Sequence, residues 1–250
     1  MSTNQNTLGK MSNYRWTICA MLFFATTVNY LDRQVLSLTW KDFIAPEFHW
    51  TDADYGDITA VFSIVYAIAN LFAGRFIDWL GTKKGFLWAI FVWSFGACLH
   101  AVSGWATEHV VYFFIAARVI LSVGEAGNFP AAIKVTAEYF PKKDRAFSTS
   151  IFNAGATVGA LIAPVTFPSL ARYFLSIGVG NGWEMAFIVI GGLGFVWMGM
   201  WMFMYKKPHE NPRVNAAEIA YIEQDKLREE DKAVSEKPER KMSFIECLQY

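Results

Sequence analysis

Four charged side chains stand inside otherwise apolar stretches of this sequence. Asp32 and Arg33 are adjacent, whereas Arg118 and Glu125 are seven residues apart. In a helix, that spacing puts Arg118 and Glu125 on one face, two turns apart. Neighbouring helical residues point roughly 100° apart, so Asp32 and Arg33 cannot neutralise each other face to face. At least one of them needs a partner on another helix. Such a group could hold a proton and bind an anion.

Two interpretations of Asp32 and Arg33 remain open from the sequence alone. They could form an ion pair at a helix end, or they could face a water-filled cavity. Glu125 favours the cavity, because a charge in the middle of a membrane costs roughly 2.5–3.5 kcal/mol on insertion scales. Small residues surround Glu125 in the stretch 122–128, so another helix or water could approach the backbone closely.

Three further polar side chains could contribute to the same site. Tyr30 extends the polar patch before Asp32, and Asn153 lies in a later apolar run. The Tyr66 hydroxyl could donate to a carboxylate or a sugar oxygen, although a packed core aromatic explains Tyr66 equally well. The glycines and prolines that follow Asn153 either loosen the helix backbone or only curve it.

The elements that must position these residues are membrane-spanning helices. Apolar residues make up 54% of the chain and charged residues only 18%, against roughly 45–50% and 25% in soluble domains. A transmembrane helix needs about 20 mostly apolar residues. The apolar runs of this length are 16–38, 55–79, 86–106, 109–137, 146–175 and 183–205. We therefore expect an all-α membrane protein whose six transmembrane helices form one bundle.

The first apolar run could also be read as a signal peptide, because Lys10 and Arg15 precede it. A signal peptide would be followed by a soluble body. Five more apolar runs follow instead, and the first run continues into the polar stretch 29–33. Both features favour a transmembrane helix.

Lysine and arginine are distributed unevenly among the connections. The connections 39–54, 104–109 and 176–182 are poor in both residues, whereas those alternating with them are basic. Because basic connections stay in the cytoplasm, we expect a cytoplasmic N-terminus. The expected organisation is a cytoplasmic tail at 1–14, the bundle at 15–205 and a cytoplasmic linker at 206–250. Residues 213–232 are polar and helix-forming, which predicts an amphipathic surface helix in that linker.

Several function classes are disfavoured by composition. The 22 basic residues balance the 22 acidic ones, so we expect no nucleic-acid partner. The three cysteines, Cys19, Cys98 and Cys247, encode neither a disulfide framework nor a metal cluster, and the four histidines lack ligand spacing. No nucleophile–base or phosphate-binding pattern is visible. We expect no metal, no cofactor and no enzymatic activity.

The connection between the second and third runs carries a recognisable pattern. It is a short turn, in which Gly81 allows a tight bend and Asp78 could cap a neighbouring helix. It resembles the signature G-x-x-x-D-[RK]-x-G-[RK]-[RK] of the major facilitator superfamily. The matching residues are Gly74, Asp78, Gly81 and Lys83, and the departures are Trp79 and Thr82. The resemblance implies a gating role for this turn.

Further motifs narrow the resemblance to a family within that superfamily. With the turn above, the sequence is similar to the anion:cation symporters, in particular bacterial sugar-acid permeases such as hexuronate transporters. The stretches that carry this similarity are 29–33, Arg118 with 125–130, 140–146, 152–155 and 183–187.

This resemblance implies a twelve-helix transporter made of two six-helix halves. Each half would consist of two inverted three-helix repeats. The chain resembles the first half with its linker, so we expect a second six-helix half that is absent here. The implied function is symport of a proton with a hexuronate, such as glucuronate or galacturonate, across the inner membrane.

The resemblance also implies roles for individual residues. It assigns proton coupling to Asp32, Glu125 and Arg118, and substrate binding to Arg33, Tyr30, Tyr66 and Asn153. Hexuronate permeases do not all keep an aspartate matching Asp32, and the galactonate branch is closer there. The alternatives are symport of another organic anion (an aldonate, an aldarate or tartrate) and a membrane nutrient sensor that binds without transporting.

Overall fold

The computed structural model describes residues 10–103 and 110–225, and these residues contain helices and connections but no strand. The expected all-α fold is therefore confirmed. The α-helices in chain order are α1 (Tyr14–Thr39), α2 (Ala45–Phe48), α3 (Asp52–Leu80), α4 (Thr82–Ser103), α5 (Val110–Ala126), α6 (Asn128–Tyr139), α7 (Lys142–Ser176), α8 (Trp183–Met204) and α9 (Ala216–Ile222). A π-helical turn (Trp40–Ile44) joins α1 to α2, and a 3-10 turn (Pro208–Glu210) precedes α9.

Within the described residues, five helical segments are long and apolar enough to cross a membrane. They are α3, α4, α5 together with α6, α7 and α8. Helix α1 corresponds to the expected first span, and its 26 residues extend roughly 39 Å at about 1.5 Å per residue. It is less apolar because Asn29, Asp32 and Arg33 interrupt its second half. Helix α1 packs along α7 and α8.

The expected single span over 109–137 is broken into α5 and α6. The proline ring of Pro130 carries no N–H, so the carbonyl of Ala126 lacks its usual helical donor. Just before Pro130, the Gly127 N–H donates to Gly124 O at 3.1 Å, which is a tighter turn than the α-helix makes. The break therefore falls two residues after Glu125. Apolar run length alone could not reveal it.

Small residues bring neighbouring helices into backbone contact, as expected for a membrane bundle. A Cβ added to Gly124 of α5 would lie 2.2 Å from the backbone nitrogen of Trp93 in α4. A Cβ added to Gly155 of α7 would lie 2.6 Å from Phe23 O in α1. The expectation that small residues around Glu125 admit another helix is confirmed, and that helix is α4.

One end of the bundle is tied to the segment after α8. The fully buried carboxylate of Glu218 in α9 accepts hydrogen bonds from the backbone N–H groups of Tyr14 and Arg15, both at 3.0 Å. It also lies 3.3 Å from the Arg15 guanidinium. A carboxylate thus satisfies free N–H groups at the positive end of α1.

The structure differs here from the expected surface helix over 213–232. Helix α9 ends at Ile222, and residues 226–232 lie outside the described part of the chain. The helix is anchored through Glu218 rather than lying free on the surface. A buried carboxylate in a polar stretch gives no periodic signal, so the sequence did not reveal this anchor.

The opposite end is closed by the connection between α1 and α3. Glu47 accepts hydrogen bonds from the Asn181 side chain and the Trp183 indole, both at 2.5 Å. Partial burial raises the pKa of the Glu47 carboxyl. Trp50 packs edge-on against Phe114 with ring centroids 5.5 Å apart. This connection therefore folds over the ends of α5 and α8.

Gly124→Ala should destabilise the bundle, because the new methyl group would overlap the backbone of Trp93. Overpacking of this kind costs roughly 1–3 kcal/mol. The measurement is the thermal unfolding midpoint of the purified chain in detergent. Gly199→Ala is the matched control, since a Cβ there meets nothing within 4 Å. An unchanged midpoint for Gly124→Ala would show that α4 and α5 do not approach so closely.

Candidate functional site

The centre of the candidate site is an ion pair between α1 and α5. Arg33 Nε donates to Glu125 Oε2 at 2.7 Å. The Glu125 side chain is fully buried, whereas a quarter of the Arg33 side chain remains exposed. A charge-assisted hydrogen bond of this length is strong in a low-dielectric interior. The prediction that Asp32 or Arg33 needs a partner on another helix is confirmed, and Arg33 pairs with α5 rather than with Asp32 on its own helix.

Asp32 finds a different partner, on α4. The indole N–H of Trp93 donates to Asp32 Oδ2, and both side chains are buried. The other oxygen, Oδ1, has no hydrogen-bond partner in the described part of the chain. Asp32 and Arg33 thus diverge from α1 toward α4 and α5, as their angular separation on a helix requires.

Arg118 of α5 is almost completely buried. Its guanidinium carbon is 5.0 Å from the Phe62 ring centroid, a cation–π contact with α3. Its Nε and Nη1 atoms have no hydrogen-bond partner among the described residues, and neither does Glu125 Oε1. Buried polar atoms without partners are uncommon and call for an explanation. Of these three atoms only Glu125 Oε1 can accept a proton, because the guanidinium nitrogens are already fully protonated donors.

Two of the predicted substrate residues surround Arg33. Its guanidinium carbon lies 4.5 Å from the Tyr66 ring centroid and 5.2 Å from that of Tyr30. Both tyrosines are half-buried. The structure therefore brings Tyr30, Tyr66, Arg33 and Glu125 together. Tyr66 is therefore a half-buried neighbour of Arg33 and not a packed core aromatic.

Asn153 lies apart from these contacts. It is exposed on α7, whereas Gly155 on the same helix faces α1. Helix α7 runs unbroken through Pro164 and Pro168. No hydrogen bond places Asn153 with the Arg33 group in the described part of the chain.

The α3–α4 turn lies away from the ion pair, at the end where α1 begins. Gly81 alone separates the two helices and adopts φ +78°, which confirms the tight bend. Lys83 Nζ donates to Met202 O at 2.9 Å. Asp78 pairs with Lys134 of α6 at 2.6 Å rather than capping a helix within this bundle. Gly74 lies in the last turns of α3 and is half-buried.

The sequence analysis missed Trp93 and Phe62, which contact Asp32 and Arg118. The available signal was weak, because the chain contains 10 tryptophans and 22 phenylalanines. In the described residues, no group of three or more histidine, cysteine, aspartate or glutamate side chains is arranged to hold a metal ion.

These features define a class of protein: a multi-pass helical membrane protein with a charged centre inside its bundle. The family model of the Major Facilitator Superfamily matches residues 22–243. The chain belongs to that superfamily.

Curated relatives agree with this assignment. The chain is 30% identical over 243 residues to the probable galactarate/D-glucarate transporter GudP of Bacillus subtilis, covering 96% of this chain and 52% of the relative. It is 30% identical over 214 residues to the hexuronate transporter of Escherichia coli K12, covering 85% and 46%. It is 32% identical over 213 residues to the probable L-galactonate transporter of that strain, covering 85% and 44%. The chain spans about half the length of the curated relatives it matches.

Solved structures show the same fold. A bacterial homolog of the human lysosomal transporter Spinster, inward-facing and unoccupied, aligns with a TM-score of 0.65 at 23% identity, over 81% of this chain and 44% of that one. The inward-open xylose transporter XylE of E. coli aligns with a TM-score of 0.65 at 14% identity, over 88% and 57%. The family and these relatives are transporters, so the expectation that the chain is not an enzyme is confirmed.

Trp93→Phe should destabilise the bundle by about 1–3 kcal/mol, because it leaves Asp32 buried without its donor. The double variant Trp93→Phe/Asp32→Asn should recover much of that loss, since the uncharged amide is cheaper to bury. Thermal unfolding of the four species in one detergent gives the coupling energy.

Trp88→Phe is the control for this cycle, since Trp88 is half exposed on the same helix. Additive effects of the Trp93 and Asp32 substitutions would contradict the hydrogen bond between them.

Proposed function

We propose that the chain forms half of a proton-coupled importer of sugar acids, with hexuronates as its substrates. One observation carries the proposal: a partly exposed guanidinium, Arg33, is held at 2.7 Å by a fully buried carboxylate, Glu125. Such a pair joins an anion-binding group to a group that can be protonated. The relatives named as sugar-acid transporters support the same assignment.

The charges of the site balance when both carboxylates are ionised. Arg33 and Arg118 contribute two positive charges, and Asp32 and Glu125 contribute two negative ones. Protonation of Glu125 leaves one net positive charge, which matches a monoanion such as glucuronate. Charge balance therefore favours binding of the proton and the sugar acid together.

The geometry suggests how one binding event promotes the other. While Glu125 is ionised, it occupies Arg33 Nε. Once protonated, the Glu125 carboxyl holds that guanidinium less tightly, and the planar fork becomes available to the carboxylate of the substrate. Tyr30 and Tyr66 flank Arg33 and present hydroxyl groups that could bind sugar oxygens. We assign Asp32 and Arg118 to proton coupling rather than to substrate binding.

Coupling to protons also meets an energetic requirement. A membrane that is negative inside opposes entry of an anion by about 2.3 kcal/mol per charge at 100 mV. One proton carried with each monoanion removes this opposition, and a second proton makes entry favourable. The distribution of basic connections supports an inner-membrane location with the N-terminus in the cytoplasm.

The site is open on one side in this chain. A quarter of the Arg33 side chain is exposed, Tyr66 is half-buried on α3, and Asn153 is exposed on α7. We propose that a second six-helix half completes the cavity, with Asn153 contributing to it. We further propose that the turn containing Gly74, Asp78, Gly81 and Lys83 acts in gating between the halves.

Glu125→Gln should abolish accumulation driven by a pH gradient while leaving substrate exchange partly intact. The amide resembles the protonated acid, so substrate binding survives but no proton is released. The measurement is uptake and exchange of labelled glucuronate in proteoliposomes of the transporting assembly that contains this chain. Asp42→Asn, an exposed change at the far end, is the control. Normal concentrative uptake by Glu125→Gln would exclude Glu125 as the coupling acid.

Arg33→Lys should weaken sugar-acid recognition tenfold or more, because lysine keeps the charge but loses the bidentate fork. Counterflow with glucuronate, galacturonate, galactonate, glucarate and tartrate measures both affinity and substrate class. Arg172→Lys provides the exposed control. Preference for glucarate or tartrate would replace the hexuronate assignment, and unchanged affinity in Arg33→Lys would place substrate elsewhere.

A further inference from the structure

A basic cleft lies at the end of the bundle where α3 meets α4 and α8 ends. Its volume is about 520 Å³, and its lining includes Lys83, Lys84, Lys206, Lys207 and Glu210. Lys84, Lys206 and Lys207 are exposed, and none forms an ion pair within the described residues. With four lysines and one glutamate among its lining residues, the cleft carries a net positive charge.

Two apolar grooves are lined by residues of the same helices. The first holds about 370 Å³ between α3, α4 and α5, and the second holds about 190 Å³ between α4 and α8. Trp88 lines both grooves and forms the ridge between them. Lys84 lies one helical turn before Trp88 on the same face of α4, so the grooves and the cleft adjoin.

We infer that this composite surface binds one anionic glycerophospholipid. Its phosphate would contact the lysines of the cleft, and its two acyl chains would lie in the grooves on either side of Trp88. Basic pockets between transmembrane helices recognise anionic lipid headgroups in this way. The apolar linings, with Phe72 and Phe76 in one groove and Phe91 and Met198 in the other, suit hydrocarbon and offer almost no polar partner.

The dimensions fit a lipid in one leaflet. From Lys84 to Phe95, the exposed face of α4 extends roughly 16 Å at about 1.5 Å per residue. A leaflet occupies about half of the roughly 30 Å hydrocarbon core. Phe91 stacks on Phe95 and meets Phe195 of α8, both with ring centroids 6.2 Å apart. Phe91, which lines the second groove, is thus continuous with further aromatic surface on α4 and α8.

Charge complementarity selects an anionic headgroup over a neutral one. The Lys83 ammonium is held in place by its hydrogen bond to Met202 O, near the end of α8. The other three lysines are free to close on a phosphate. Each lysine near a membrane surface should strengthen binding of an anionic lipid about fivefold.

The test is native mass spectrometry of the purified chain titrated with dioleoylphosphatidylglycerol. Dioleoylphosphatidylcholine supplies the same tails with a neutral headgroup, and inorganic phosphate supplies the anion without tails. We expect one tightly retained phosphatidylglycerol, bound at least tenfold more tightly than phosphatidylcholine. Equal retention of both lipids, or competition by phosphate at matching concentration, would overturn the inference.

A matched pair of triple variants locates the site. Lys84→Gln/Lys206→Gln/Lys207→Gln removes three charges from the cleft and should reduce phosphatidylglycerol retention tenfold or more. Lys10→Gln/Arg75→Gln/Lys143→Gln removes three charges at the same end outside the cleft and should leave retention unchanged. Equal losses in both variants would indicate a diffuse surface effect and contradict a defined site.

Substitution of Trp88, which lines both grooves, tests whether each groove holds one acyl chain. Trp88→Ala should remove the advantage of phosphatidylglycerol over its single-chain lysolipid, because the two chains lose their separate grooves. Helix content measured by circular dichroism confirms that each variant is folded. An unaltered preference for the two-chain lipid in Trp88→Ala would refute the placement of the chains.

Discussion

The ion pair between Arg33 and Glu125 is the contact on which the rest of the polar centre depends. Helix α1 packs along α7 and α8, whereas α5 packs along α3 and α4. The pair crosses between these two groups of helices, and the Trp93–Asp32 hydrogen bond crosses beside it. Removing one member of a buried pair costs roughly 3–5 kcal/mol, because the remaining charge is left without compensation. The buried charge of Glu125 therefore depends on Arg33 for most of its direct compensation, unless a proton neutralises it.

Close helix packing is what makes this arrangement possible. Gly124 lets α4 approach α5 at the level of Trp93, and the neighbouring Glu125 is turned toward α1. The break at Gly127 follows at once, so α5 ends and α6 begins just beyond the carboxylate. The same short stretch thus sets the helix spacing, the position of the acid and the local loss of helical hydrogen bonding. A bulkier residue at Gly124 would disturb all three.

The sequence predicted the helices well because apolar run length is a direct consequence of the membrane. It also predicted, from the angular separation of adjacent residues, that at least one of Asp32 and Arg33 needs a partner on another helix. It could not identify those partners, because the register between α1, α4 and α5 arises from backbone contacts at glycines rather than from periodicity. Pro130 was visible in the sequence, but counting apolar residues ignores missing N–H donors. Glu218 was overlooked because a polar stretch gives no sign of which carboxylate will be buried.

The placement of the charges also determines what a proton could move. Because Arg33 and Glu125 belong to different groups of helices, weakening their bond loosens the junction between those groups at the level of the site. At the opposite side of the bundle, α4 and α8 remain in close packing through Gly191 and Gly194, where an added Cβ would overlap Cys98 or Ser94. One junction is therefore held by close contacts at glycines, and the other by an ion pair. Under the proposed function, protonation of Glu125 would act on the junction that the ion pair holds, which would link a proton to a change in helix position.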